Sequence, residues 1–143
     1  MKTLVIYYSY TGHTKTEAEG LATKESADIT EIKDIKRPCK FKAYFPGCFA
    51  ALRGKSWPIL PIDTDLSAYD RFMLLSPVWA GNPTPAVNSV FSQLPSGKSV
   101  FVKMVSASGK SGCKERIGSV IKGKGCTLEG FEDIKARGNL GNK

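Results

Sequence analysis

The sequence predicts a doubly wound α/β domain built on a parallel sheet. Three observations lead there. Short apolar, β-branched runs alternate with helix-patterned segments along most of the chain. The first run, Leu4 to Tyr8, is continuously apolar, as a strand buried on both faces is. The loops after the first, third and fourth runs are the most distinctive in the chain, and such sheets bind ligands beyond the carboxyl ends of their strands.

Leu4-Val5-Ile6-Tyr7-Tyr8 is the first strand, stopped by Ser9-Tyr10-Thr11-Gly12. Residues 13–23 suit a helix, with Ala18, Leu21 and Ala22 at core-facing spacing. Residues 28–35 predict a second strand toward a sheet edge, with Ile29, Ile32 and Ile35 alternating less cleanly. Residues 38–61 are obscure. They hold one short helix over 48–53, ended by Gly54, while Pro46, Pro58 and Pro61 keep the rest irregular. Residues 70–76 are a buried strand, followed by a helix over 85–94 with Pro85 near its first turn. Residues 100–106 form the next strand, and residues 114–122 a helix with Ile117, Val120 and Ile121 on one side. Residues 126–135 are the last strand. No repeat or linker divides the chain, so residues 1–143 are expected to form a single domain with its own core.

Composition narrows the function. No apolar run approaches a membrane span, and the first eight residues, with one basic residue and no small-residue cleavage site, read as a core strand rather than a leader. A cytoplasmic protein without membrane association is the expectation. Cys39, Cys48, Cys113 and Cys126 make no Cys-x-x-Cys pair, and His13 is far from all of them in sequence, so no metal site is expected. They read as reduced thiols packed as small hydrophobes. The charge is less ordinary: 21 basic residues against 13 acidic give a formal +8. Between residues 35 and 62 stand Lys36, Arg37, Lys40, Lys42, Arg53 and Lys55 with no acid. Between 104 and 126, Lys110, Lys114, Arg116, Lys122 and Lys124 face only Glu115. Such clusters favour anionic partners, an acidic protein or nucleic acid among them; the bland reading is a solvated surface.

Three loops carry the chemistry. In Ser9-Tyr10-Thr11-Gly12-His13-Thr14, three hydroxyls surround a glycine between a strand end and a helix start. Unpaired N–H groups at a helix start accept an anion, Gly12 lets the backbone close around it, and the hydroxyls add donors. This is a phosphate cradle, with neither a Walker ending nor a Gly-x-Gly-x-x-Gly pattern; plain helix capping by Thr11 is the alternative. In the second loop, residues 76–85, Trp79 offers a flat face to an aromatic ring, Gly81 permits close approach, and amides beside Asn82 can bond a polar edge. Its alternative is a Trp plugging the core. The third loop, Ser106-Ala107-Ser108-Gly109-Lys110-Ser111-Gly112-Cys113, is small and Gly-rich, and ends at a helix start where Cys113 is either reactive or inert.

The strand followed by Ser-x-Thr-Gly-x-Thr at Ser9, Thr11, Gly12 and Thr14 resembles the FMN-phosphate loop of the flavodoxin family. The second loop resembles that family's segment bearing the flavin-stacking aromatic, and the third resembles the loop against the flavin's other side. The resemblance implies a five-stranded sheet in the order 2-1-3-4-5 and one FMN as cofactor. It places Ser9, Tyr10, Thr11, Gly12, His13 and Thr14 at the phosphate. It puts Pro77, Val78, Trp79, Ala80, Gly81 and Asn82 on one side of the ring, and Ser106, Ala107, Ser108, Gly109 and Cys113 on the other, with Lys110 close by. His13 stands where the family often has Asn.

Two features depart from the family. Flavodoxins are acidic around the flavin, whereas this chain is basic. Members usually end on a fifth helix after the fifth strand, and residues 136–143, with two glycines, cannot form one. The sheet face left open is then met by another subunit, as in a homodimer, or by another segment, or the domain is truncated. The resemblance implies an electron carrier working with a redox partner protein, an acidic one given the basic surface. No catalytic acid–base pair is expected. The alternative is an FMN-dependent reductase passing electrons from NAD(P)H to quinones. A nucleic-acid or protein interaction module on the same scaffold ranks last, because the aromatics are not interleaved with the charges outside residues 41–49.

Overall fold

A computed structural model describes residues 2–10, 12–35 and 56–136. Thr11, Cys39, Cys48, the helix expected over 48–53 and residues 137–143 lie outside the described residues. The elements run β1 (Thr3–Tyr7), α1 (His13–Glu25), β2 (Asp28–Glu31), a 3-10 turn (Leu66–Ala68), β3 (Arg71–Trp79), β4 (Asn82–Pro83), α2 (Pro85–Phe91), β5 (Ser99–Ser106), α3 (Lys114–Gly123) and β6 (Thr127–Lys135). The sheet order is β2-β1-β3-β5-β6, with β4 turned back antiparallel on β3. All pairs along that path are parallel. With the two-residue β4 set aside, this is the predicted order 2-1-3-4-5.

Alternation along the strands divides the core between the two faces of the sheet. Leu4, Ile6, Phe72, Leu74, Val100, Val102 and Met104 point to one face, covered by Val87 and Val90 of α2 and Ile117 and Ile121 of α3. Val5, Tyr7, Met73 and Leu75 point to the other, against Ala18 and Ala22 of α1. Each large apolar side chain so buried contributes about 1.5–3 kcal/mol relative to exposure. On this second face β5 and β6 carry a different lining. The Phe101 ring lies across Gly130, where an added Cβ would sit 2.8 Å from the ring, and Lys103 pairs with Glu132 at 3.5 Å. At the amino end of the sheet, Arg71 ties Glu25 at the end of α1 (3.3 Å) to Glu129 of β6.

The structure corrects three expectations. β2 stops at Glu31 instead of running to residue 35, because Ile32 turns into the core. Asp34 then makes an antiparallel bridge to Ile59, and the Leu60 N–H donates to the Lys33 carbonyl at 2.8 Å. β3 runs three residues past its expected end, through Pro77 to Trp79. Proline costs little there, since pairing with β1 ends at Leu75 and Pro77 is the last position in register with β5, opposite Val105. α2 is shorter than expected, ending at Phe91; it begins where Thr84 Oγ1 accepts from the Val87 N–H at 3.4 Å.

Candidate functional site

The chain passes from β1 outward to β2 and returns to β3 on the other side, so the strand order reverses between β1 and β3. Doubly wound sheets bind ligands at the carboxyl ends of the strands beside such a reversal. The loops after β1, β3 and β5 all open on that edge.

The first loop leaves β1 through Tyr8 and enters α1 at Gly12. Gly12 has φ 105°, a conformation that side chains disfavour, and stands at the N-cap position of α1. The Gly12 N–H donates to Ser9 Oγ at 3.0 Å, which ties the start of α1 back to Ser9. The first turn of α1 holds His13, Thr14, Lys15 and Thr16, with no acid to neutralise its dipole. Thr14 is buried, and His13 Nδ1 is buried with no hydrogen-bond partner among the described residues. A buried polar atom left unpaired is costly, and a polar group bound at this turn would relieve that cost.

The second loop is a hairpin rather than an open loop. Val78 pairs with Pro83 and Trp79 with Asn82, while Ala80 (φ 52°) and Gly81 (φ 77°) make the two-residue turn. Positive φ at both central positions defines the type I′ turn that matches strand twist. Trp79 thus stands at a fixed point on the edge of the sheet. It is half-buried, packed against the margin of the main core, and three rings meet it edge-on: Tyr8 at 6.2 Å, Tyr10 at 5.8 Å and Trp57 at 5.9 Å. Asn82 Nδ2 donates to the Ala80 carbonyl at 3.0 Å, and Asn82 Oδ1 accepts from Arg116 Nη1 at 2.7 Å.

The third loop closes on the second. A Cβ at Gly81 would lie 3.0 Å from the Ser111 carbonyl oxygen. The loop is tied internally, with the Gly109 N–H donating to Ser106 Oγ at 2.9 Å and the Lys110 N–H to Ser108 Oγ at 3.3 Å. Ala107, Ser108 and Lys110 are exposed. Cys113 faces inward: it is 3% exposed, belongs to the main core, and its thiol donates to Ser111 Oγ at 3.3 Å. Burial pushes this thiol above the ordinary range, the nearby Asp133 carboxylate adds to that, and the Ser111 hydrogen bond opposes it.

The described members of the three loops therefore share one edge of the sheet. Three residues of the same region escaped the sequence reading: Trp57, Asp34 and Arg116. Trp57 and Asp34 lie far from Trp79 in sequence, and only the fold joins them. Arg116 sits in a basic cluster that read as surface, yet its guanidinium reaches the hairpin.

No family model matches the chain, and no curated protein matches it by sequence. Solved structures do. A flavoprotein from Lactobacillus acidophilus NCFM, in complex with FMN, is 24% identical, with TM-score 0.75 over 91% of each chain. A Streptococcus pneumoniae flavodoxin is 15% identical, with TM-score 0.58 over 96% of this chain and 88% of that one. Oxidised flavodoxin 1 from Bacillus cereus is 16% identical, with TM-score 0.55 over 97% and 87%. In element order, sheet order and extent, this chain has the flavodoxin-like fold.

Proposed function

We propose that the protein binds one FMN at the carboxyl edge of its sheet and carries electrons for a redox partner. The observation that carries this reading is the convergence of an acid-free helix start and loop at Ser9–Thr14 with the Trp79 hairpin, beside the reversal of strand order. The residues fit the group. The Ser9 hydroxyl, Thr14 and the N–H groups of the first turn of α1 offer donors to a phosphate. Gly12, its own N–H engaged by Ser9 Oγ, leaves room for the backbone to close around it, and His13 Nδ1 is a buried polar atom with no partner among the described residues. Trp79, with Val78 and Pro77 beside it on β3, offers an aromatic wall, and the loop from Ser106 to Cys113 faces it across the Gly81–Ser111 approach. Thr11 belongs to the same motif. FMN, when bound, supplies reversible uptake of one or two electrons; the protein's part is to bind, orient and shield it.

The similarity to a flavoprotein crystallised with FMN supports this reading. The partner is taken to be acidic, because exposed Lys110 and Lys114 flank the third loop and Lys135 comes up beside Gly109. Purified protein mixed with FMN should quench the flavin's fluorescence stoichiometrically, and should then pass electrons to redox proteins with little NAD(P)H turnover of its own. Absence of flavin uptake sinks the reading. Rapid NAD(P)H-driven quinone reduction replaces the carrier with a reductase.

A further inference from the structure

The aromatic wall has an anchor outside the three loops. Asp34 stands just beyond β2 and accepts two hydrogen bonds, from Tyr8 Oη to Oδ2 at 2.5 Å and from Trp57 Nε1 to Oδ1 at 3.0 Å. Both donors belong to rings that meet Trp79 edge-on. We propose that Asp34 is a positioning residue that holds the Tyr8 and Trp57 rings against Trp79 and so fixes the aromatic wall of the flavin site. The proposal rests on the FMN reading.

Each oxygen of the Asp34 side chain accepts from a different ring, so the two donors converge on one short side chain. Two hydrogen bonds converging on the two ends of one short side chain fix the direction of both rings. The carboxylate is itself held in place. Asp34 bridges to Ile59, and Leu60 is bonded to Lys33, so the strand end and the 57–60 segment are joined by their backbones. The Trp57 carbonyl separately accepts from Ser89 Oγ on α2. Backbone and carbonyl contacts already place Trp57 along the chain; what the carboxylate adds is the direction of its indole. Tyr8 is fixed by its backbone, with its N–H donating to the Leu75 carbonyl at 3.2 Å, and by a ring packed in the main core, and its hydroxyl donates to Asp34. Asp34 also lines a cleft of about 370 Å³ with Tyr8, Ser9, Ile32 and Leu60, so water at this opening competes for the Tyr8 and Trp57 donors once the carboxylate is removed.

The test compares wild type with Asp34→Ala, Asp34→Asn and Trp79→Ala, reading FMN dissociation constants and the visible circular dichroism of bound flavin at saturation. Asparagine keeps the geometry without the charge, since its oxygen accepts from Trp57 and its amide donates to the Tyr8 hydroxyl. Asp34→Ala should weaken FMN binding about tenfold and change the flavin dichroism, while Asp34→Asn stays within about threefold of wild type. Dichroism at saturation reports only folded, loaded protein, so simple destabilisation would not move it. Asp34→Ala with wild-type affinity and dichroism overturns the proposal, as does Asp34→Asn equally impaired. Wild type that takes up no FMN overturns the flavin reading and this one with it, a result distinct from wild type binding while Asp34→Ala binds equally well.

Discussion

Arg116 Nη1 donates to Asn82 Oδ1 at 2.7 Å, which ties the first turn of α3 to the hairpin that carries Trp79. The two residues are far apart in sequence, and their contact makes the second and third loops one unit. Arg116→Ala frees the hairpin from α3. It should weaken FMN binding about tenfold, with Arg116→Lys recovering part of the loss, because a lysine reaches the same oxygen without the guanidinium's fixed geometry. Fluorescence titration with FMN reads the difference.

The hairpin turn is not optimised for stability. Ala80 holds φ 52°, and a non-glycine residue pays for left-handed backbone where Asn or Gly would not. Ala80→Asn should therefore stabilise the fold by about 0.5–1 kcal/mol. Gly81→Ala should destabilise it by about 1–3 kcal/mol, since φ is 77° and the new methyl would meet the Ser111 carbonyl at 3.0 Å. Urea unfolding checks both signs.

Gly130 lies under the Phe101 ring, with the position of an added Cβ 2.8 and 2.9 Å from two ring carbons. Gly130→Ala should cost about 1–3 kcal/mol through overpacking. Phe101→Leu should recover part of that in the double variant, and a double-mutant cycle by chemical denaturation measures the coupling.

The alkaline side of the stability curve follows from two buried groups. Burial, and then the Glu31 and Glu19 carboxylates, push Tyr7 up to about 12, and burial pushes the Cys113 thiol up as well. In each case the folded state holds a proton that the unfolded chain releases earlier. Their stability contribution is complete below the unfolded-state values, about 8.5 for a thiol and about 10 for a tyrosine, and is lost as pH rises through the folded ones. Unfolding free energy should fall steadily above about pH 8.5, and less steeply in Cys113→Ala. For the same reason Cys113 should resist alkylation at pH 8 in the folded protein and react in urea, as peptide mapping by mass spectrometry would show.

Much of the fold was legible because its strands are buried on both faces. The run at Leu4–Tyr8 has no polar interruption and that at 100–106 only Lys103 before its final serine, and strands appear at both within a residue of the expected ends. Helix α1 was legible from Gly12 and the spacing of Ala18 and Ala22. Where local signals conflict with tertiary pairing, the reading slipped. Pro77 read as the end of a strand, yet β5 continues to pair there. The turn after Trp79 contains Ala80, a residue with no preference for left-handed backbone, so nothing local announced a hairpin. The loops of the candidate site were visible as motifs, whereas the supports behind them were not. Asp34 looked like a charged end of an edge strand, and Trp57 lay in an irregular stretch between prolines. Tertiary contacts, the bridge from Asp34 to Ile59 and the Ser89 bond to the Trp57 carbonyl among them, bring them to Trp79.

The central claim is that the loop from Ser9 to Thr14 holds the phosphate of a flavin whose ring lies against Trp79. The most direct test is parallel titration of wild type, Thr14→Val and Trp79→Ala with FMN and with riboflavin, which lacks the phosphate. Wild type should bind FMN stoichiometrically and more tightly than riboflavin. Thr14→Val should shrink that preference, and Trp79→Ala should weaken both ligands alike. Equal affinity for FMN and riboflavin, or no uptake of either by wild type, would contradict it.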